Sequence, residues 1–223
     1  MTSKIILITG PSGVGKGTIE KELFKDDSLN LSFSVSATTR NKRIGENEGE
    51  HYHFITNDEF EALIKKNAFL EYNKHFDNYY GTLFEEVESK LKQGKNVLIE
   101  VEIIGAVNII QKLKETNKED ILISIFIEPP SIEELERRIR NRNTDNEEQI
   151  KKRLERAIEE IPYKKYFQNV VENDDVNETI DKIPYHSGSS KFAMVCRGSA
   201  ADRKEVCLGG TEEGQPLQSL SLP

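Results

Sequence analysis

Lys4-Ile-Ile-Leu-Ile-Thr9, running into Gly10-Pro11-Ser12-Gly13-Val14-Gly15-Lys16-Gly17-Thr18 and then Ile19-Glu-Lys-Glu-Leu-Phe24, is the stretch that decides the fold of this chain. The apolar run reads as a buried strand, and the segment after Thr18 opens a helix. Strand, glycine-rich loop and helix in that order form the setting of a phosphate-binding P-loop. The glycines let backbone N–H groups turn inward around a polyphosphate. The helix N-terminus adds a partial positive charge, and Lys16 adds a full one. The usual pattern places Ser or Thr directly after the lysine, to ligate Mg²⁺. Here that position is Gly17, and the hydroxyl comes one residue later, at Thr18. The nucleotide's phosphates and water are therefore expected to supply much of the metal's shell, and the protein's own metal ligands stay open.

Outward from that motif, 223 residues suit one to two compact domains with a sizeable core. A net charge of −8 argues against a nucleic-acid partner. No apolar run approaches the roughly 20 residues of a membrane helix. No signal-peptide pattern precedes the first strand, so a cytoplasmic location is expected. Cys196 and Cys207 both lie in the last 40 residues, His51, His53, His75 and His186 are scattered, and no zinc-ligand spacing results. The chain changes character near Pro184. Residues 184–223 contain no Ile and no Asn, and five glycines and six serines appear instead. That segment reads as a disordered or added appendage, with a small partner-binding tail as the alternative.

Three further apolar runs read as buried parallel strands: Asn96–Val101, Ile121–Ile127 and Asn169–Val171. Helical patterns separate them, which predicts a βα-wound, three-layer α/β fold around a parallel sheet. A short amphipathic helix is expected over Asp58–Ile64, opened by Asn57 or Asp58, and another from Phe84 to Lys92, stopped at Gly94. After Pro129-Pro130, Ser131 and Glu134 form a capping-box pattern for a helix over Ser131–Arg140. A polar linker, residues 143–146, separates it from a helix over Glu147–Glu160 that carries Lys152 and Arg153. Arg138 and Arg142 share one helix face. Two basic faces around a polar hinge, downstream of a P-loop, read as a mobile lid over phosphates. A last helix is expected from Val176 to Ile183.

The Gly-Lys-Gly-Thr loop resembles that of nucleoside monophosphate kinases. Ser34-Val-Ser-Ala-Thr-Thr-Arg40, then Arg43, Gly45 and Tyr52-His-Phe54, and later Asn78-Tyr-Tyr-Gly-Thr82, are similar to guanylate kinase. The match runs in order from about Ile5 to Asp181, and the segment after Ile183 has no counterpart in it. The resemblance implies a P-loop fold with a core over 1–35, 89–130 and 154–183, a GMP-binding subdomain inserted over 36–88, a helical lid over 131–153, and 184–223 as the tail. It implies transfer of the ATP γ-phosphoryl group to GMP, with Mg²⁺ accompanying ATP. By position it assigns Lys16 and Thr18, with the rest of the loop, to the ATP phosphates, and Asn173 to the adenine end. Ser36, Glu71 and Thr82 would read the guanine, and Arg40, Arg43, Tyr52 and Tyr80 would hold the GMP phosphate. Arg138, Arg142 and Arg153 would close from the lid.

These residues suit those roles chemically. A carboxylate such as Glu71 can accept from both N1–H and the N2 amine of guanine, a pair that adenine does not offer. Arg and Tyr supply the donors a phosphate needs. Phosphoryl transfer is mainly positioning plus neutralisation of charge, so no nucleophilic side chain is required. One departure stands out in the segment Glu100-Val-Glu102-Ile-Ile-Gly105, read as a continuation of its strand. Glu102 occupies a place where the family usually carries Asp, and its longer reach leaves its part in the GMP site open. Two other readings share parts of the pattern: another nucleoside monophosphate kinase, and a guanylate-kinase-like binding module without catalysis. The intact Lys16 and phosphate-site residues weigh against the module.

Overall fold

In the computed structural model, which describes residues 3–75, 77–141 and 146–184, β1 (Ile5–Thr9) is the centre of a five-stranded, wholly parallel sheet. Its order is β2 (Leu31–Phe33), β7 (Asn96–Glu100), β1, β8 (Leu122–Glu128), β9 (Asn169–Glu172). β1 shows why there are three layers. Ile6 and Ile8 pack on one face with Ile19 and Leu23 of α1 (Lys16–Leu23), Leu135 and Ile139 of α5 (Ile132–Asn141) and Ile150 of α6 (Glu147–Glu160). Ile5 and Leu7 pack on the other with Val87 of α3 (Phe84–Lys92) and Ala106, Ile109 and Leu113 of α4 (Ile103–Glu115). A strand buried on both faces reads as a near-continuous apolar run, and the one polar residue of β1, Thr9, donates its hydroxyl to the Val101 carbonyl at 2.9 Å.

A second, four-stranded sheet lies within residues 36–88, in the order β4 (His53–Phe54), β3 (Ala37–Thr38), β6 (Asn78–Leu83), β5 (Phe69–His75). Its own small core stacks Phe60 of α2 (Asn57–Lys65) between Phe69 and Tyr79, with ring centroids 4.3 and 5.0 Å away. β5 and β6 pair antiparallel and place Glu71 opposite Thr82.

Most expected elements form within a residue or two of their predicted ends. The helices over Phe84–Lys92 and Glu147–Glu160 coincide with α3 and α6, and α7 (Val176–Lys182) stops one residue short of its predicted end. Three readings need correction. The cap of α2 is Thr56, not Asn57 or Asp58: its hydroxyl accepts from the Glu59 N–H while the Glu59 carboxylate accepts from the Thr56 N–H. At α5 half of the expected box is made. Ser131 accepts from the Glu134 N–H, whereas the Glu134 carboxylate turns to Arg137 and Arg138. The strand through Glu100 does not continue to Gly105. β7 ends at Glu100, and Glu102 takes the N-cap position of α4 without a side-chain cap bond. The edge strand β2 and the strands of the second sheet lie outside what the pattern reading anticipated, while α4 is the helical segment it expected between the strands at 96–101 and 121–127. Of the predicted hinge, residues 143–146, only Asn146 is described, and it caps α6; of the predicted tail, residues 184–223, only Pro184 is described, and Arg142 also lies outside the described residues.

Candidate active site

The loop after β1 is fastened from below. Gly15, the N-cap of α1, has φ 102°, and a Cβ there would stand 2.5 Å from Nδ2 of Asn173, so only glycine leaves room. Asn173 is buried. Its Nδ2 donates to the Val14 carbonyl at 2.7 Å, and its Oδ1 accepts from the Thr179 hydroxyl at 2.9 Å. Arg138 is fastened to the same place: Nη1 donates to the Asn173 carbonyl at 2.8 Å, Nη2 to that of Asp174 at 3.3 Å, and Nε to Glu134 at 2.7 Å. The two arginines on Glu134 hold its carboxyl down to about 2. Asn173 and Arg138 thus brace the phosphate loop. Lys16 extends its Nζ to the Gly10 carbonyl at 2.7 Å and the Pro11 carbonyl at 3.4 Å.

Across from the loop stands the wall built by β5 and β6. Glu71 is 9 % exposed, and its Oε1 accepts from the Thr82 hydroxyl at 3.0 Å. Burial pushes this carboxyl up to about 7, and the negative charge of Glu102 adds to the push. Its other oxygen lies against α4, where a Cβ on Gly105 would come within 2.9 Å, so the wall closes on the carboxylate only because residue 105 has no side chain. Tyr52 and Tyr80 stand edge to face at 6.0 Å. Arg40 lies 5.5 Å from the Tyr52 ring and is gripped by both oxygens of Glu46, at 2.8 and 3.0 Å. The Arg43 N–H donates to the same carboxylate at 2.8 Å. Hydrogen bonds from Arg40 and Arg43 pull the Glu46 carboxyl down to about 2.

Loop and wall enclose a cavity of about 560 Å³. Of the predicted site residues, Gly10, Ser12, Lys16, Ser36, Tyr52, Glu71, Tyr80, Glu102 and Arg153 line it. Thr82 and Asn173 are buried behind Glu71 and the loop. Arg153 comes down from α6 to within 3.4 Å of the Ser12 hydroxyl. Sequence reasoning missed Asn73, Glu100, Arg156 and Glu160 among the lining residues, and Gly105 as their spacer. Arg153, Arg156 and Glu160 follow helical spacing on one face of α6, a signal that was there to be read. Glu100 ends a parallel strand on the side where such sheets bind ligands, a second signal. Asn73 and Gly105 left none.

A P-loop on a parallel sheet, facing a small inserted sheet across one cavity, defines a P-loop nucleotide kinase. The guanylate kinase family model matches residues 2–185. The chain is 50% identical over 182 residues to a guanylate kinase of Mycoplasmopsis pulmonis, covering 80% of this chain and 92% of that one. It is also 50% identical over 179 residues to a guanylate kinase of Rickettsia felis, covering 80% and 90%. The crystal structure of guanylate kinase from Anaplasma phagocytophilum superposes with a TM-score of 0.60 at 30% identity, covering 89% of this chain and 88% of that one. The chain belongs to the guanylate kinase family. Among the described residues, no helix is long and apolar enough to cross a membrane.

Proposed function

We propose that this kinase transfers the γ-phosphoryl group of ATP to GMP, giving ADP and GDP, with the loop side of the cavity taking ATP and the Glu71 side taking GMP. The observation that carries this reading is the buried Glu71 carboxyl, bonded to Thr82 and opening onto the cavity that Lys16 also lines. Guanine presents N1–H and N2–H to a carboxylate. Those donors would hold Glu71 ionised in spite of its burial, whereas adenine would leave it unpaired at a cost of about 1–3 kcal/mol or more.

On the loop side, Lys16 now rests on neutral carbonyls, and phosphate oxygens would offer it stronger, charge-assisted bonds. Ser12 and Arg153, already within reach of one another, bracket the same end of the cavity. On the GMP side, Arg40 is held in place by Glu46 beside Tyr52, ready for a phosphate monoester. The attacking atom is a GMP phosphate oxygen, so the protein's task is to align it and to neutralise the charge on the moving group. Arg153 on α6 and Arg138 on α5 serve that closing side, Arg138 through its hold on the loop. Among the described residues, no cluster of three or more His, Cys, Asp or Glu side chains is placed to hold a metal ion. Mg²⁺ would arrive on ATP, with phosphate oxygens and water filling most of its shell.

The test is an ADP-release assay with each nucleoside monophosphate in turn. GMP should be turned over far faster than AMP. Equal or better turnover of AMP, or none of any nucleotide, overturns the reading.

A further inference from the structure

Arg156 is the cavity-lining cation to which the reading above gives no role. It lies on α6, three residues after Arg153, and each of its two arms meets a carboxylate: Nη2 donates to Glu102 at 3.1 Å, and Nε donates to Glu160 at 2.8 Å. Glu102 takes the N-cap position of α4, the helix whose Gly105 presses on Glu71. One face of α6 therefore touches the phosphate loop through Arg153 and Ser12, and through Arg156 it touches Glu102 at the start of α4, the helix that packs on β5.

We propose that Arg156 is a positioning residue for GMP: through Glu102 it ties α6 to the wall that carries Glu71 and sets the charge that the Glu71 carboxyl meets. Stability is not its business. The side chains of Arg156 and Glu102 are 51% and 54% exposed, and an ion pair of that kind contributes 1 kcal/mol at most. Its consequence is electrostatic. Glu71 is faced by Thr82 from β6 and by Glu102 from α4, and the Glu102 charge disfavours its ionised form. Arg156 counters that charge. Glu160, which Arg156 also holds, is pushed up by its own burial and lies within the field of Lys16. Acidic groups thus crowd this side of the cavity, and Arg156 contacts two of them. Because it sits on α6, a shift of that helix would change how well Glu102 is neutralised, and with it how readily Glu71 accepts guanine.

The sign follows directly. Glu71 must be ionised to accept two donors, so KM for GMP should fall as pH rises through about 7. Without Arg156 the uncompensated Glu102 raises the Glu71 carboxyl further, and the fall moves to higher pH. A displacement of about half a pH unit gives roughly a twofold higher KM at pH 7, and roughly threefold at pH 6.

The inference rests on the Glu71 side binding GMP, and the experiment separates the two claims. KM for GMP and for ATP, with kcat, are measured between pH 6 and 9 for the full-length wild type, Arg156→Ala, Arg156→Lys and the double variant Arg156→Ala with Glu102→Gln. Arg156→Ala should raise KM for GMP at pH 7, with convergence to wild type near pH 9 and KM for ATP unchanged. Arg156→Lys should restore much of the wild-type profile, and Glu102→Gln should cancel the defect. A wild-type profile in Arg156→Ala, or a defect that is flat in pH or shared equally with ATP, overturns the inference and leaves the GMP assignment standing. A wild type that does not use GMP overturns the assignment itself.

Discussion

The two walls of the cavity are held together by different means. The phosphate loop is braced by side chains that donate to its backbone and to the neighbouring chain: Asn173 to Val14, Arg138 to Asn173, Lys16 to Gly10. The Glu71 side, which we propose takes guanine, is held by side chains that bond to one another: Thr82 to Glu71, Arg40 to Glu46, Arg156 to Glu102. A polyphosphate is recognised by a row of N–H groups, so what the loop needs is a fixed backbone shape and one cation. A base is recognised by its hydrogen-bonding edge, which demands particular side chains in a dry place. The first wall should therefore lose turnover when altered, and the second should lose discrimination.

The loop side offers the largest expected effect. Lys16→Ala should lower kcat on the order of 10³-fold, since a cation aimed at the moving phosphoryl group acts mainly in the transition state. Circular dichroism should stay that of the wild type, because the bonds lost to the Gly10 and Pro11 carbonyls are part-buried ones in the loop, outside the helices and sheets. A folded variant with wild-type kcat would refute the role of Lys16 and with it the contrast between the walls.

On the other wall, Glu71→Ala should cost about 2–4 kcal/mol in kcat/KM for GMP, from lost charge-assisted bonds and unpaired guanine donors, with KM for ATP nearly unchanged. Undiminished preference for GMP over AMP would remove Glu71 from the base site. The empty enzyme gives a second test. A carboxyl raised to about 7 on folding favours the native state fully below the ordinary carboxylate range and loses that contribution as pH rises through about 7. The melting temperature of the unliganded wild type should therefore fall more steeply between pH 5 and 8 than that of Glu71→Gln, which has nothing to ionise there. Parallel curves would show that Glu71 is not perturbed.

Asn173→Ala should act more weakly, and on the brace rather than the chemistry. It leaves the Val14 carbonyl with only the longer bond from Arg138 at 3.5 Å, while the Thr179 hydroxyl keeps the Asp175 carbonyl at 2.6 Å, so the loss should be about 1 kcal/mol of stability. A raised KM for ATP with little change in KM for GMP would place the damage on the loop side. The reverse pattern would break the division between the walls.

That division also explains what the sequence disclosed. The loop announces itself because its parts are contiguous and its constraints local: an apolar strand, glycines where the backbone turns, a lysine, a helix. The buried strands β7, β8 and β9 were legible for the same reason. The second sheet was not: β3 and β4 have two residues each, too few for any period to show, and β5 and β6, though seven and six residues long, carry polar and charged side chains in place of an apolar run. Glu71 was reached through family resemblance alone. Nothing in Phe69-Leu-Glu-Tyr says that a carboxylate will be buried there, because its burial depends on Thr82 and Gly105 from other elements. Asn173 was found by position and assigned to the nucleotide, yet its amide holds the loop and Thr179. Arg156 and Glu160 could have been found, since a helix that brings Arg153 to the loop must bring its neighbours on the same face to the cavity.

The smallest effect is expected from the tail. The family match ends at residue 185, and the last described elements close the core just before it: α7 ends at Lys182, and Ile183 is buried at 2% beside the β1 cluster. Every residue placed in either wall precedes Asp174. The charges of the tail cancel, with Lys191, Arg197, Arg203 and Lys204 against Asp202, Glu205, Glu212 and Glu213, so its removal leaves the field across the cavity nearly as it was. Its Gly and Ser content makes ordering it costly in entropy, with few apolar side chains to offset that cost. Truncation after Tyr185, which keeps Ile183 in the core, should leave kcat, both KM values and the melting temperature within error of the full chain. A fall in kcat alone would tie the tail to the loop side, and a fall in GMP affinity alone would tie it to the guanine wall. Either would make it a part of the enzyme rather than an appendage.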